Sequence, residues 1–284
     1  MSIEEFIQQA ILEDIQDPKG ILPSGDHSAL ACIPADAMKK AHLKVKQQGI
    51  IAGIDMAKLI FENIDANLIF TPLIADGSAV KYGDIAFYIE GSARSLLLGE
   101  RLILNTMQRM SGIATLTYEY ANLIKHTKAK VLDTRKTCPN FRYFEKLAVK
   151  LGGGENHRFG LYDMIMLKDN HIDYCGGITQ AIEKTKKYLI DNGLNLKIEV
   201  ETRSLDDVKK ALNTKMVDRI MVDNFSVENC KAAVEMIGGR VEVEASGGIN
   251  LKTIVDYAET GVDFISIGAL THSYTSLDMS LKAI

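Results

Sequence analysis

Between positions 135 and 168 the chain carries Arg135, Lys136, His157, Arg158 and Lys168, and farther along Glu201 and Asp223 follow apolar runs of their own. A single cation of this kind is ordinarily a solvated surface charge. Five in so short a span, several beside glycines, point instead to an anion site. Arginine presents a planar fork that suits carboxylate or phosphate, and lysine adds a point charge. The ligand such a set would take is strongly anionic, with more than one carboxylate or phosphate. Carboxylates opposite an anion site hold a divalent metal, bind sugar hydroxyls, or stabilise positive charge of the oxocarbenium kind. For Glu199 a salt bridge to the lysines and arginines nearby is an equal alternative.

Two of those cations sit in LGGGENHRFGL, residues 151–161. Its glycines raise the question of a nucleotide loop. The stretch does not fit G-x-G-x-x-G opening a helix, because the helical pattern FRYFEKLAVKLG precedes the glycines, and it lacks G-x-x-x-x-G-K-[ST]. Glycine after a helix reads first as a C-cap. The loop is expected to end a helix, turn sharply and present His157 and Arg158.

The elements that must position these groups follow a βα rhythm from about residue 129. AKVLD precedes FRYFEKLAVKLG, MIMLKD precedes ITQAIEKTKKYLI, and LKIEVE precedes LDDVKKALN. RIMVDN precedes VENCKAAVEMIG, VEVEAS precedes LKTIVDYAETG, and DFISIGAL closes the series. Six such units without a dinucleotide fingerprint favour a parallel barrel, whose chemistry sits at the C-terminal strand ends. The strand ends carry Asp133, Thr134, Arg135 and Lys136, then Lys168, Asp169, Asn170 and His171, then Glu199 and Glu201, Asp223 and Asn224, Glu244, and Gly268. Glu199 and Glu201 share parity on their strand, so both are expected to face the interior. Ser246-Gly247-Gly248 before a helix, and Ile267-Gly268-Ala269 at the last strand, are expected to hold phosphate on the N–H groups of helix starts.

The first hundred residues read as α+β. A helix is expected over 3–14, with Ile3, Phe6, Ile7, Ala10 and Ile11 on one face. AHLKVKQQGII, NLIFTPLI and GDIAFYIEGSA are strand-like, with helix MAKLIFENI between the first two. Residues 95–124 look helical with a break at Ser111-Gly112. With 33 basic and 37 acidic residues, the net charge is 33 − 37 = −4, which points to no nucleic-acid or membrane partner. Cys32, Cys138, Cys175 and Cys230 lack metal spacing and read as reduced thiols. The N-terminus lacks a signal-peptide pattern and no apolar window could span a bilayer, so a cytoplasmic protein is expected.

The segments DTRKTCPNFRYFEKLAVKLGGGENHRFGLYDMIMLKDNHI (133–172), IEVET (198–202), DNF (223–225), EASGGI (244–249) and YAETGVDFISIGALTHS (257–273) closely resemble quinolinate phosphoribosyltransferases. ERLILNTMQRMSGIAT (100–115) resembles the helix that precedes the barrel in that family. The resemblance spans nearly the whole chain. It implies an N-terminal α/β sandwich over residues 1–110 and an open, incomplete parallel α/β barrel over 111–272, with the tail 273–284 packing on the sandwich. It also implies the reaction: quinolinate and 5-phosphoribosyl 1-pyrophosphate give nicotinate mononucleotide, pyrophosphate and CO2 with Mg²⁺, in de novo NAD synthesis. A homodimer, or a hexamer built from it, would share its active site across the interface.

Carried over position by position, the resemblance assigns Thr134, Arg135, Lys136, His157, Arg158 and Lys168 to the dicarboxylate and pyrophosphate pocket. Arg101 would reach quinolinate across the dimer. Lys136, Lys168, Glu201 and Asp223 would carry the catalysis, with Glu201 and Asp223 serving Mg²⁺, directly or through water, and the ribose hydroxyls. Ser246, Gly247, Gly248, Ile267, Gly268, Ala269 and His272 would hold the phosphoribose. Cys138 and Asn140 stand where the family has Thr and Gly; Asn tolerates left-handed backbone, so the turn should persist. The alternatives are a sister phosphoribosyltransferase of the same fold (a molybdenum-operon homologue or a nicotinate-specific enzyme) and a non-catalytic dicarboxylate- or nucleotide-binding protein.

Overall fold

The computed structural model describes residues 2–284, which run in order α1 (Ile3–Ile15), α2 (His27–Cys32), β1 (Met38–Val45), β2 (Gly49–Ile50), α3 (Ile54–Ile64), β3 (Ile69–Pro72), β4 (Ala79–Val80), β5 (Ile85–Ser92) and α4 (Ala93–Leu123). There follow β6 (Lys130–Leu132), α5 (Arg142–Leu151), β7 (Ile165–Leu167), α6 (Asp169–Cys175), α7 (Ile178–Asp191), β8 (Ile198–Thr202), α8 (Leu205–Thr214) and β9 (Arg219–Asp223). The chain ends with α9 (Val227–Ile237), β10 (Glu242–Ser246), α10 (Ile254–Glu259), β11 (Phe264–Ser266), α11 (Ala269–His272) and β12 (Met279–Ala283).

These elements form two compact units. The first comprises residues 1–116, 138–152 and 274–284, and the second comprises 117–137 and 153–273. In the first, an antiparallel sheet of order β12-β1-β5-β3 buries one face, on which Leu43 registers with Leu281 on one side and Phe87 on the other. Apolar area removed from water on that face is the main driving term, about 25 cal/mol per Å². Phe87 packs against Phe70 at 4.5 Å between centroids, with the buried Phe61 of α3 beside them. The Asp76 carboxylate accepts from the N–H groups of Gly53, Ile54 and Asp55, satisfying the start of α3, which has no cap of its own.

Three expectations change. α4 runs unbroken through Ser111 and Gly112. Ser111 Oγ accepts from Ala52 N–H at 2.9 Å and donates to its carbonyl, and a Cβ on Gly112 would press on the Thr275 carbonyl carbon at 3.0 Å. The glycine serves close packing there, not a break. α5, expected within the barrel, belongs to the first unit instead. Its Phe144 packs on Phe6 at 4.6 Å, and its buried Glu145 pairs with Arg109. α6 covers residues that the sequence presents only as a polar strand end. It is a separate short helix closed by the left-handed Gly176.

The second unit is built on a parallel sheet of order β6-β11-β10-β9-β8-β7, open between β6 and β7 and flanked by helices. This is the open α/β barrel. All five residues of β8 are buried, as expected of a strand covered on both faces. No helix among the described residues is long and apolar enough to cross a membrane.

Candidate functional site

The C-terminal strand ends of the second unit surround a cavity of about 850 Å³. Thr134, Arg135, Lys136, His157, Arg158, Lys168, Glu201, Asp223, Ser246, Gly247, Gly248, Ile267, Gly268, Ala269 and His272 all line it. Arg101 does not; it lies exposed on α4 in the first unit.

The glycine loop presents its residues as the sequence suggests. Gly152 caps α5 with its N–H on the Ala148 carbonyl, and Gly153 takes a left-handed φ of 88°. The chain then runs along β6, with Glu155 N–H on Val131 O at 2.8 Å and His157 N–H on the buried Asp133 carboxylate at 2.8 Å. A turn stitched by Asp163, which accepts from Phe159 and Gly160 N–H, brings Arg158 back so that Nη1 donates to Met164 O. Burial, then the charge of Arg135, lowers the Arg158 pKa below its ordinary value. Both guanidiniums thus press for an anion.

His157 does more than face a ligand. Its ring is buried, with Nε2 2.9 Å from Glu199 and 3.3 Å from Glu244. Burial alone would depress its pKa, but hydrogen bonds and charge from the two carboxylates raise it to about 9. Glu199 is thus paired, but with a histidine and not with the lysines and arginines expected. Burial pushes the Glu199 carboxyl up, and the Glu244 charge adds to that. Glu244 is fully buried too, yet His157 and Arg219 hold it below the ordinary carboxylate value.

Glu201 faces the cavity from the same side of β8, its carboxylate 3.6 Å from Lys168 Nζ. Burial raises its pKa, with Lys168 opposing and Asp223, on the neighbouring strand, reinforcing. Asn224 adopts a left-handed φ of 56°, and its amide donates to Asp223 at 2.5 Å. A Cβ on Gly247 (φ 98°) would lie 2.6 Å from Asn224 Cγ and 2.7 Å from its backbone nitrogen, so only glycine fits. Gly268 is similarly confined by Lys136 Cδ at 3.0 Å and His272 Nε2 at 3.1 Å. Thr271 Oγ1 donates to Lys136 O at 2.8 Å, tying the first strand end to the last.

One part of the phosphate expectation is corrected. α10 begins only at Ile254, because Asn250 accepts from Lys252 N–H and Thr253 Oγ1 accepts from Asn250 N–H, inserting a turn after Gly248. The N–H groups near Ser246–Gly248 belong to a glycine turn, not to a helix start. Asn140, by contrast, takes the left-handed φ of 61° that its type allows. Sequence reasoning missed Met166 and Met221, which line the cavity, and Arg219, which lies beneath it. The inward parity of Met166 and Met221 on apolar strands was the available signal, but it does not separate a cavity floor from a core.

Known proteins match along the whole chain. The family model described as "Quinolinate phosphoribosyl transferase, N-terminal domain" matches residues 26–111, and the C-terminal domain model matches 113–282. "Quinolinate phosphoribosyltransferase [decarboxylating] 2, mitochondrial" of Nicotiana glauca is 42% identical, over 99% of this chain and 82% of its own length. "Probable nicotinate-nucleotide pyrophosphorylase [carboxylating]" of Bacillus subtilis is 37% identical, over 99% and 93%. The crystal structure of NadC from Streptococcus pyogenes superposes with a TM-score of 0.90 at 39% identity, covering 99% of this chain and 97% of that one.

Proposed function

Because this chain belongs to the quinolinate phosphoribosyltransferase family, we propose that the cavity of its second unit is where quinolinate meets the phosphoribosyl donor. The enzyme is a nicotinate-nucleotide pyrophosphorylase (carboxylating). It transfers the phosphoribosyl group of 5-phosphoribosyl 1-pyrophosphate to quinolinate with decarboxylation, giving nicotinate mononucleotide, pyrophosphate and CO2 in de novo NAD biosynthesis. One observation supports this reading: cations and carboxylates from five strands, with the glycine turns that follow β10 and β11, converge on a single 850 Å³ space.

In this reading Arg135, Arg158 and Lys168 bind the acceptor's carboxylates, and Lys136 faces the leaving pyrophosphate from beside Gly268. Ser246, Gly247 and Gly248, with Gly268 and His272, take the 5′-phosphate. As the pyridine nitrogen displaces pyrophosphate, Glu201 and Asp223 stabilise positive charge on the ribose. The bond to the departing carboxylate then breaks to release CO2, the electron pair stays on the ring carbon beside the ribosylated nitrogen, and a proton from water replaces the carboxylate. No protein nucleophile is required.

Glu201 and Asp223 also fit a Mg²⁺ ion: they are hard oxygen donors on neighbouring strands, and burial, reinforced by the Asp223 charge, raises the Glu201 pKa. When bound there, Mg²⁺ would supply positive charge against the pyrophosphate. A homodimer completes the proposal, with Arg101 of one copy serving the acceptor site of the other; its exposure on α4 supports that use. A cytoplasmic location is proposed with it, supported by four widely separated free cysteines.

The test is an incubation with the pyrophosphate donor, Mg²⁺ and either quinolinate or nicotinate, following nicotinate mononucleotide and CO2. Product and CO2 from quinolinate are expected. Product from nicotinate alone would identify the sister enzyme, and no product from either would leave a binding protein.

A further inference from the structure

Beneath the cavity lies a charged cluster that the reaction itself does not call for. Arg219, the first residue of β9, is buried. Its Nη1 donates to Glu244 Oε2 at 3.0 Å, and Nε and Nη2 donate to Glu242 Oε2 at 3.1 and 3.0 Å. The guanidinium also lies over the Phe264 ring, 4.0 Å from its centroid. The same Glu244 oxygen is 3.3 Å from His157 Nε2, with Glu199 closing the other side at 2.9 Å. His157 and Glu244 line the cavity, whereas Arg219 and Glu199 do not.

We propose that Arg219 is a positioning residue for the acceptor half of the site, fixing His157 through Glu244. The inference rests on the function proposed above. Within the cluster two carboxylates, Glu199 and Glu244, face two cations, His157 and Arg219. The trio His157, Glu199 and Glu244 could by geometry receive a metal, their ligand atoms lying within 4.8 Å of one another. Arg219 and His157 already balance the two negative charges, so a divalent ion would add uncompensated charge to a buried place. The cluster is better matched to holding a ring than to holding an ion.

The guanidinium is suited to that task because it is planar and held on three sides, by Glu242, Glu244 and Phe264. Without it, Glu244 would keep His157 as its main partner and its own position would no longer be set from below. The ring, whose Nδ1 accepts from the Arg158 N–H at 2.6 Å, would then shift with it and displace Arg158, which faces the acceptor. The hydrogen bonds and ion pairs of Arg219 go to Glu242 and Glu244 and not to the turns around Gly247 and Gly268, so the donor's phosphate side should not respond.

The experiment compares wild type with Arg219→Gln, Arg219→Lys and Glu242→Gln. It records KM for quinolinate and for the donor, kcat, thermal midpoint, and calorimetric binding of quinolinate. Arg219→Gln is expected to raise the quinolinate KM about tenfold and leave the donor KM within about twofold, a split of roughly one decade. Arg219→Lys should recover part of the loss. Glu242→Gln is partly exposed at the strand start and should fold, with a two- to fourfold effect on the same KM. A lowered thermal midpoint with both KM values unchanged in the folded variants would overturn the proposal. So would an equal rise in both. Quinolinate binding without turnover in wild type would remove the proposed function alone, since the binding arm still reads Arg219; a wild type that neither binds nor converts quinolinate would remove both.

Discussion

The Lys168 ammonium lies 3.6 Å from the Glu201 carboxylate, so the cationic and anionic halves of the cavity meet within it. An anionic acceptor arriving at Lys168 competes directly with Glu201 for that charge. In the proposed reaction that competition would release Glu201 toward the ribose. Glu201→Gln should accordingly lower kcat by about 10²-fold, the size of effect usual for one preorganised electrostatic group, with a smaller change in the KM for quinolinate. Steady-state kinetics in both substrates would show it, and an effect confined to quinolinate KM would contradict the role.

Lys136 follows β6 and lines the same cavity, its Cδ close to Gly268. Lys136→Ala should cut turnover by about 10²- to 10³-fold, because a developing pyrophosphate charge loses its nearest point cation. Single-turnover rates measure this directly. Near-normal activity would remove Lys136 from the machinery.

Gly247→Ala meets both a left-handed backbone and the Asn224 main chain. Strain of about 1–3 kcal/mol is expected, along with a raised KM for the pyrophosphate donor. Calorimetric titration with the donor should show the loss, while quinolinate binding alone stays close to wild type.

The His157 pair makes stability pH-dependent. The ring binds its proton more tightly in the fold, at about 9, than in the unfolded chain at 6.5. Its contribution is therefore complete below pH 6.5 and is lost as pH rises through about 9, on the order of 3 kcal/mol in total. Glu199, also raised by burial, slopes the same way at lower pH. Urea unfolding at pH 6 and pH 9.5 should show the fall, and His157→Gln should flatten it.

Asp76→Ala tests a part of the fold remote in role from chemistry. It leaves three N–H groups at the start of α3 without their acceptor and should cost about 1–2 kcal/mol. Both KM values should stay within about twofold.

The six parallel strands and their polar ends were legible because period and length speak locally: a short apolar run that ends in Asp, Lys or Glu and precedes an amphipathic helix has few other readings. The cavity's lining followed from the same ends. Other features depended on contacts that no local pattern encodes. Ser111-Gly112 looked like a break because Gly weakens a helix in isolation, and only its fit against Thr275 shows why it is tolerated. α5 carried a barrel helix's rhythm, yet its Phe144 and the Phe141 just before it pack on Phe6, more than a hundred residues away in sequence. Arg219 opened an ordinary strand, and nothing in RIMVD says that its guanidinium would reach Glu244. Charge type was readable, but pairing was not.

The strand β12 adds a constraint of timing. It is the partner of β1 from Ala41 through Val45, and these two strands lie at opposite ends of the chain. During synthesis, β1 emerges among the first elements and must wait through the whole of the parallel sheet before residues 279–283 leave the ribosome. At roughly 5–20 residues per second, that interval lasts about ten seconds or longer. Throughout it β1 holds an open edge with Leu43 and Val45 unshielded on that side, so this sheet is completed only after the whole parallel sheet has been made.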